Sequence, residues 1–404
     1  MGQNKYACKR ISIFMKLRIL INMNMIQISK SGIALSLFLA LSTLHSAAVA
    51  QQKNALPDWA FTGFERVKQN PVIAPDSTTT FFSVIENKNV AWESNDTFNP
   101  AAIVKDGKIV VLYRAEDKSG VGIGYRTSRI GYAESTDGVT MKRRPKPVFY
   151  PGNDDQKEND WPGGCEDPRV ALAADGTYVM MYTSWNRKVA RLSVATSKDL
   201  ITWKKHGPAF DKAHGGRYRD LFHKSGSIVT QLVGDKIQIA KIKGKYWMYW
   251  GENHVYVATS TNLVDWEPLL NEKGELLELI SPRKGYFDSA LTECGPPALV
   301  TDKGILLLYN GKNGVAGTGD PELNPETYSA GQVLFDLNDP TKVKGRLDKP
   351  FFKPEMAYEK AGQYANGTVF IEGLVYYKSK WFLYYGCADS RVAVAVSTTG
   401  PVKP

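Results

Sequence analysis

Four short stretches of this 404-residue chain gather side chains capable of acid–base chemistry. In Gly163-Gly164-Cys165-Glu166-Asp167-Pro168-Arg169, two adjacent carboxylates precede a proline and an arginine. The others are Gly251-Glu252-Asn253-His254, Thr292-Glu293-Cys294-Gly295 and Gly386-Cys387-Ala388-Asp389-Ser390-Arg391, and Asn99-Pro100 adds an amide. Charged groups of this kind are rarely buried without a partner or a task. Several acids in one cleft, with aromatics around them and no metal-ligand spacing, suit cleavage of a glycosidic bond. One carboxyl, kept protonated, serves as the acid, and another activates a water on the far side of the sugar. His254 stands alone, so with Asn253 it is expected to bind substrate by hydrogen bonds in the channel rather than to ligate a metal. Neither a Gly-x-Ser-x-Gly elbow nor a phosphate loop occurs, and the glycines from Gly120 to Gly124 follow no strand-to-helix context. No cofactor or metal is expected.

These stretches need a frame that brings them together, and the chain repeats itself in a way that supplies one. Strand-turn-strand units run from Ala101 to Arg114, Val170 to Tyr182, Ile237 to Trp250, Pro297 to Asn310 and Val369 to Tyr385, each around a short Asp-, Gly- or Lys-rich turn. A third strand with small alternating residues follows, as in Arg191-Leu192-Ser193-Val194-Ala195-Thr196-Ser197 and Val392-Ala393-Val394-Ala395-Val396-Ser397. A short proline element then closes each unit: Pro147-Val148-Phe149, Pro208-Ala209-Phe210, Pro268-Leu269-Leu270 and Pro350-Phe351-Phe352. Self-similar four-strand units predict an all-β, five-bladed β-propeller. The last unit lacks its proline element, and Pro71-Val72-Ile73 near the other end is expected to complete it and close the ring. Trp203 and Trp266 are expected to pack between blades. In a propeller the start of each inner strand lines the central channel, which is where the polar stretches fall. Successive residues of a regular strand face opposite ways, so only one of Glu166 and Asp167 is expected to meet substrate while the other supports it, pairing with Arg169.

Residues 1–50 carry Lys5, Lys9, Arg10, Lys16, Arg18 and Lys30, no acid, then an apolar run from Ile33 to Leu41 and Ser46-Ala47-Ala48-Val49-Ala50. This reads as a secretory signal cleaved after Ala50, with Met23 or Met25 as the true start, and implies export, most simply to a periplasm. The apolar run is too short for a permanent membrane anchor. Removing the leader takes six of the 51 basic residues, leaving 45 against 41 acidic. That balance, without a basic aromatic stripe, argues against nucleic acid as a partner. Residues 51–404 suffice for one large β domain. Cys165, Cys294 and Cys387 remain, an odd count that reads as buried free thiols on inner strands.

Taken in order, Asn99-Pro100-Ala101 with Leu112-Tyr113-Arg114, Arg129-Ile130-Gly131-Tyr132-Ala133 with Asp137-Gly138, Glu166-Asp167-Pro168-Arg169, Gly295-Pro296-Pro297, and Asp389 before an Ala/Val strand resemble glycoside hydrolase family 130. The resemblance implies a five-bladed propeller acting on β-mannosides with inversion, in a family of mostly phosphorylases with a hydrolase subset. It implies Asp167 as general acid, working through a sugar hydroxyl, and Asn99, Arg114, Arg169 and Asp389 as sugar-binding. Phosphorylases of the family place basic residues where phosphate sits. Glu252 and Glu293 align with two such places, where carboxylates repel phosphate and hold a water instead. This resembles the hydrolase subset, whose substrates are β-1,2-linked mannosides, with either glutamate as the base. Three alternatives stand beside it: a phosphorylase on the same fold, a furanosidase of another five-bladed family, and a non-catalytic carbohydrate-binding propeller.

Overall fold

The computed structural model describes residues 56–402, so the leader expected over residues 1–50 lies outside the described residues. The described chain is almost entirely strand, with helix confined to a few short turns such as Lys157–Asp160. None of its helices is long and apolar enough to cross a membrane.

Five antiparallel meanders follow one another. The first joins Asp96–Lys105, Lys108–Glu116, Ser128–Ser135 and Lys142–Arg143. The second joins Gly164–Leu172, Tyr178–Trp185, Ala190–Ser197 and Trp203–Pro208. The third joins Gly226–Val233, Lys245–Trp250, Val255–Ser260 and Trp266–Pro268. In the fourth, Leu291–Cys294 and Ala298–Val300 both pair with Ile305–Lys312, which continues to Tyr328–Phe335 and Val343–Arg346. The fifth joins Val369–Tyr377, Lys380–Cys387 and Arg391–Ser397, and its outer member is the N-terminal Glu65–Arg66.

That N-terminal pairing starts earlier than Pro71. Glu65 faces Val396, and the chain meets the same strand again where Ile73 bridges Val392. Asn70 holds the middle, its side chain donating to Val394 O at 2.8 Å and accepting from Val394 N at 2.9 Å. The third unit corrects the sequence reading more deeply. Its inner strand is Gly226–Val233, and Ile237 belongs to a hairpin, Lys236–Ile239, folded back on that strand's far half. The expected strand at Ile237 was the second apolar run of a pair, and Ser225-Gly226-Ser227 ahead of the first hid its start.

A repeated turn links third and fourth strands. Ser197 Oγ accepts from Leu200 N and Asp199 Oδ1 from Ile201 N, and Ser260 with Asn262 repeats the arrangement. The residue at the bend has positive φ in both, Leu200 at 66° and Leu263 at 67°. Unit one has Gly138 there, where a Cβ would stand 2.3 Å from the Phe382 ring.

The core lies between meanders. Leu192, Met248, Trp250 and Trp266 pack units two and three together, while Leu308, Ile371, Leu383 and Tyr385 join units four and five. Such interleaved apolar faces give the inner strands fixed positions, which the polar residues at their starts exploit.

Candidate active site

The inner strands are irregular where their polar residues sit. Unit one bulges between Phe98 and Pro100, unit two between Glu166 and Arg169, and unit five between Ile371 and Gly373. Asn99 and Asp167, at φ 45° and 49°, occupy the left-handed region that short polar side chains tolerate. The bulge breaks the alternation of a regular strand. Glu166 and Asp167 therefore both line one cleft of about 330 Å³, contrary to the expectation that only one would.

Arg114 organises one side of this cleft. Its Nη1 donates to Asp167 Oδ1 at 3.0 Å and its Nη2 to Glu166 Oε1 at 2.9 Å and Glu116 Oε1 at 2.6 Å. Asn99 Nδ2 adds a second donor to Asp167 Oδ1 at 2.9 Å. One guanidinium cannot neutralise three carboxylates. Burial pushes Glu166 up to about 7 against the pull of Arg114, with the Asp167 charge adding to the rise. Burial also works on Asp167, but Arg114, Lys224 and Arg169 outweigh it, and the Asn99 amide helps hold that carboxyl down to about 2. The pair thus keeps one proton between them until near-neutral pH. Asp389, at φ 50°, lines the same cleft and is raised to about 7 by burial.

Lys224 organises a second cluster. Its Nζ lies 3.2 Å from Glu252 Oε1 and 4.0 Å from Glu293 Oε1. The two carboxylates outweigh burial and keep the ammonium well above its usual value. Glu293 is buried and accepts from Ser225 Oγ, and burial raises it to about 7 although Lys224 opposes the rise. Backbone ties set this cluster. Gly251 N donates to the carbonyls of Lys224 and Ser225, and Gly251 O accepts from Cys294 N. Gly251 has φ 124°, and a Cβ there would stand 2.2 Å from His254 O. Lys224 escaped the sequence reading because it directly precedes the misplaced inner strand. The strand's true start, Gly226, would have exposed Lys224-Ser225 as the third unit's polar start.

Three expected site residues lie elsewhere. Arg169 is buried below the cleft, where it donates from Nε to Gly295 O at 3.1 Å, from Nη2 to Cys294 O at 2.8 Å and from Nη1 to Asp167 O at 3.0 Å. Its ion-pair partner is Glu372, 3.0 Å away and fully buried, rather than a carboxylate of the Glu166-Asp167 pair. Asn253 contributes its backbone oxygen, which accepts from Thr292 beside Glu293. His254 is partly exposed, with Nδ1 3.0 Å from Glu278 Oε2. The cleft also takes Trp185, Phe222, Tyr328 and Tyr364, whose rings give it apolar walls suited to the C–H faces of a sugar. Trp185 is fixed by its indole N–H donating to Gly124 O at 2.8 Å. Cys165, Cys294 and Cys387 are buried free thiols on the inner strands and their partners.

Proton-bearing carboxyls, an anion held by an arginine, and aromatic walls together form a site for acid–base chemistry on a polyhydroxylated substrate. Known proteins agree. The glycoside hydrolase family 130 profile, described as beta-1,4-mannooligosaccharide phosphorylase, matches residues 63–402. A 1,2-beta-oligomannan phosphorylase of Thermoanaerobacter sp. (strain X514) is 30% identical over 347 residues, covering 84% of this chain and 98% of that one. A solved putative glycosidase from Bacteroides thetaiotaomicron is 65% identical, with TM-score 0.84 over 84% of this chain and 98% of its own. Another, 62% identical with TM-score 0.84, covers 87% of this chain and 97% of its own. It is described by the words "The GH130 family of mannoside phosphorylases contains glycoside hydrolases that target beta-1,2 mannosidic linkages in Candida mannan". With the match spanning all five meanders and both charged clusters, the chain belongs to glycoside hydrolase family 130, enzymes that act on β-mannosides.

Proposed function

We propose that this protein is an inverting hydrolase of β-1,2-mannosidic linkages, built as a five-bladed propeller whose ring is closed by the N-terminal strand. The observation that carries the reading is the cluster of Glu252 and Glu293 around Lys224 in the same cleft as Asp167. An incoming phosphate would meet two acids there, and the one ammonium within reach is already paired with Glu252. A water, by contrast, is well served. Glu293 has a value of about 7, so it loses its proton near neutral pH and can take one from that water. Glu252 and Lys224 orient the water, and the Lys224 ammonium stabilises the charge on Glu293 against the repulsion of Glu252. Glu166 holds the proton of the acid cluster; Asp167 takes it up and gives it to a sugar hydroxyl, whose own O–H proton moves to the leaving oxygen as the glycosidic bond breaks, so the pair ends one proton short. Asn99, Arg114 and Asp389 hold the sugar in the acid cluster. Arg169 acts from below rather than on the sugar.

Export of the mature chain fits hydrolysis. A phosphorylase retains bond energy in a charged sugar phosphate, which is useful only where phosphate is abundant and the product is kept. One observation favours the second reading, a phosphorylase: Lys224 is a cation in the wall where a phosphate would sit. Incubation with β-1,2-mannobiose, with and without phosphate and followed by NMR, separates the two. The expected result is phosphate-independent release of mannose, first seen as the α anomer. A requirement for phosphate, with mannose 1-phosphate as product, overturns the hydrolase reading. First appearance of the β anomer overturns inversion.

A further inference from the structure

The repeated Ser-x-Asp/Asn-Leu-x-x-Trp turn puts Trp203 and Trp266 at equivalent points of units two and three, opposite Ser197 and Ser260. Their surroundings differ. Trp266 is buried, and its indole N–H donates to Leu263 O at 3.2 Å. Trp203 remains partly exposed, and its indole N–H has no protein partner. Trp203 stands between two clefts that share no lining residue with the catalytic one. The larger, about 710 Å³, runs past Tyr150, Asn153, Asp155 and Gln156, and the smaller, about 470 Å³, past Thr177 and Thr196.

The rim favours a neutral ligand. Three cations, Arg144, Lys146 and Lys205, stand against three acids, Asp154, Asp155 and the underlying Asp160, with Lys205 bound to Asp154 at 2.9 Å and to Asp160 at 2.5 Å. Mixed signs concentrate neither anions nor cations, which removes phosphate esters and nucleic acid as natural occupants. What is left is a ring face flanked by hydroxyls, amides and carboxylates. A sugar answers both halves, stacking its C–H face on the indole and sharing its hydroxyls with the rim.

We propose that Trp203 is the centre of a second saccharide-binding site, which holds a stretch of mannooligosaccharide outside the catalytic cleft. The site rests on the family's action on β-mannosides and is independent of whether water or phosphate is the nucleophile. Weak contacts here raise the local concentration of a long chain at the catalytic cleft without changing the chemical step. Small substrates, unable to reach both places, gain nothing.

The test uses the full mature chain carrying Asp167→Asn to stop turnover, titrated calorimetrically with β-1,2-mannotetraose. Two binding events are expected, and Trp203→Ala removes the weaker one. Because Trp203 packs edge-on to Phe149, a second variant, Asn153→Ala with Asp155→Ala at the exposed rim, guards against misfolding. It too should weaken the second event, by about tenfold or more. In the Asp167 background restored to wild type, both variants should turn over mannobiose at unchanged kcat and KM but cleave long β-mannan several-fold more slowly. A single binding event, or two events indifferent to both variants, overturns the proposal. Absence of any binding, including at the catalytic cleft, would instead reject the substrate assignment itself.

Discussion

Lys224 is the residue on which the local electrostatics turn. It lies between an acid that faces the cleft and one that is buried, so removing its charge should affect both. Lys224→Met is expected to lower kcat by about 100–1,000-fold, the range for loss of one preorganised electrostatic group. The direction of the pH shift follows from its cause. Without the ammonium, the Glu293 carboxylate is less stabilised and holds its proton to higher pH. The acid limb of the kcat profile should therefore move upward, as read by initial rates across pH. An unchanged limb with a lower plateau would mean that Lys224 only shapes the cleft. Lys224→Arg, which restores the charge, should bring the limb back.

At the scale of the element, the inner strands matter through their interruptions. The bulge at Asp167 and the break at Gly295-Pro296-Pro297 each leave backbone carbonyls pointing inward, and Arg169 ties them together. Its planar fork spans the strand of Asp167 and the segment next to Glu293, while Glu372 takes the remaining charge. A lysine cannot reproduce that geometry. Arg169→Lys is expected to cost about 10–100-fold in kcat with KM within about threefold, because the spacing of acid and base is disturbed while sugar contacts remain. An arginine that gripped sugar would raise KM instead, so Michaelis kinetics distinguish the two. Of the sequence expectations, the hairpins of units one, two, four and five were legible because Asp-Gly or Lys-containing turns punctuate alternating runs. The bulges were not. A bulge is one extra residue whose presence only the partner strand reveals, and nothing local in Glu166-Asp167-Pro168-Arg169 records it.

For the whole molecule, the contact between chain ends can be tested through Arg66. It reaches Glu359, which is fully buried, at 2.6 Å and lies over the Phe352 ring, joining the first strand to the segment between units four and five. Arg66→Met should destabilise by about 3–5 kcal/mol, since it leaves a buried carboxylate without its counter-ion, held only by the Tyr385 hydroxyl and the Glu355 and Met356 N–H groups. Denaturant melts measure this, and a loss below about 1 kcal/mol would show that the end strand is dispensable. The acids of the cleft give a second global signature. Burial holds Glu166, Glu293 and Asp389 each at about 7 in the fold. These values lie above those of the unfolded chain, near 4, so the fold binds the protons more tightly. The stability they add is complete below the unfolded value and is lost as pH rises through about 7. Asp167, held at about 2, works in the opposite sense and loses its contribution only as pH falls through that value. Melting temperature should fall between about pH 4 and about pH 7, and Glu293→Gln should flatten part of that slope. A melting temperature that is flat across this window, or rises with pH, would contradict the protonated cleft.

The sequence by itself determined the strand content, the repeat, the family and which acids line the cleft, because turn chemistry, alternation and motif order are local and survive in one dimension. Tertiary structure alone decided which carboxyl keeps a proton, why Glu166 and Asp167 share a cleft, and that Lys224 rather than Arg169 stands at its wall. Each of these depends on the distance between charges on different meanders and on their burial. Those distances are set by packing between strands far apart in the chain, which no stretch of sequence encodes on its own.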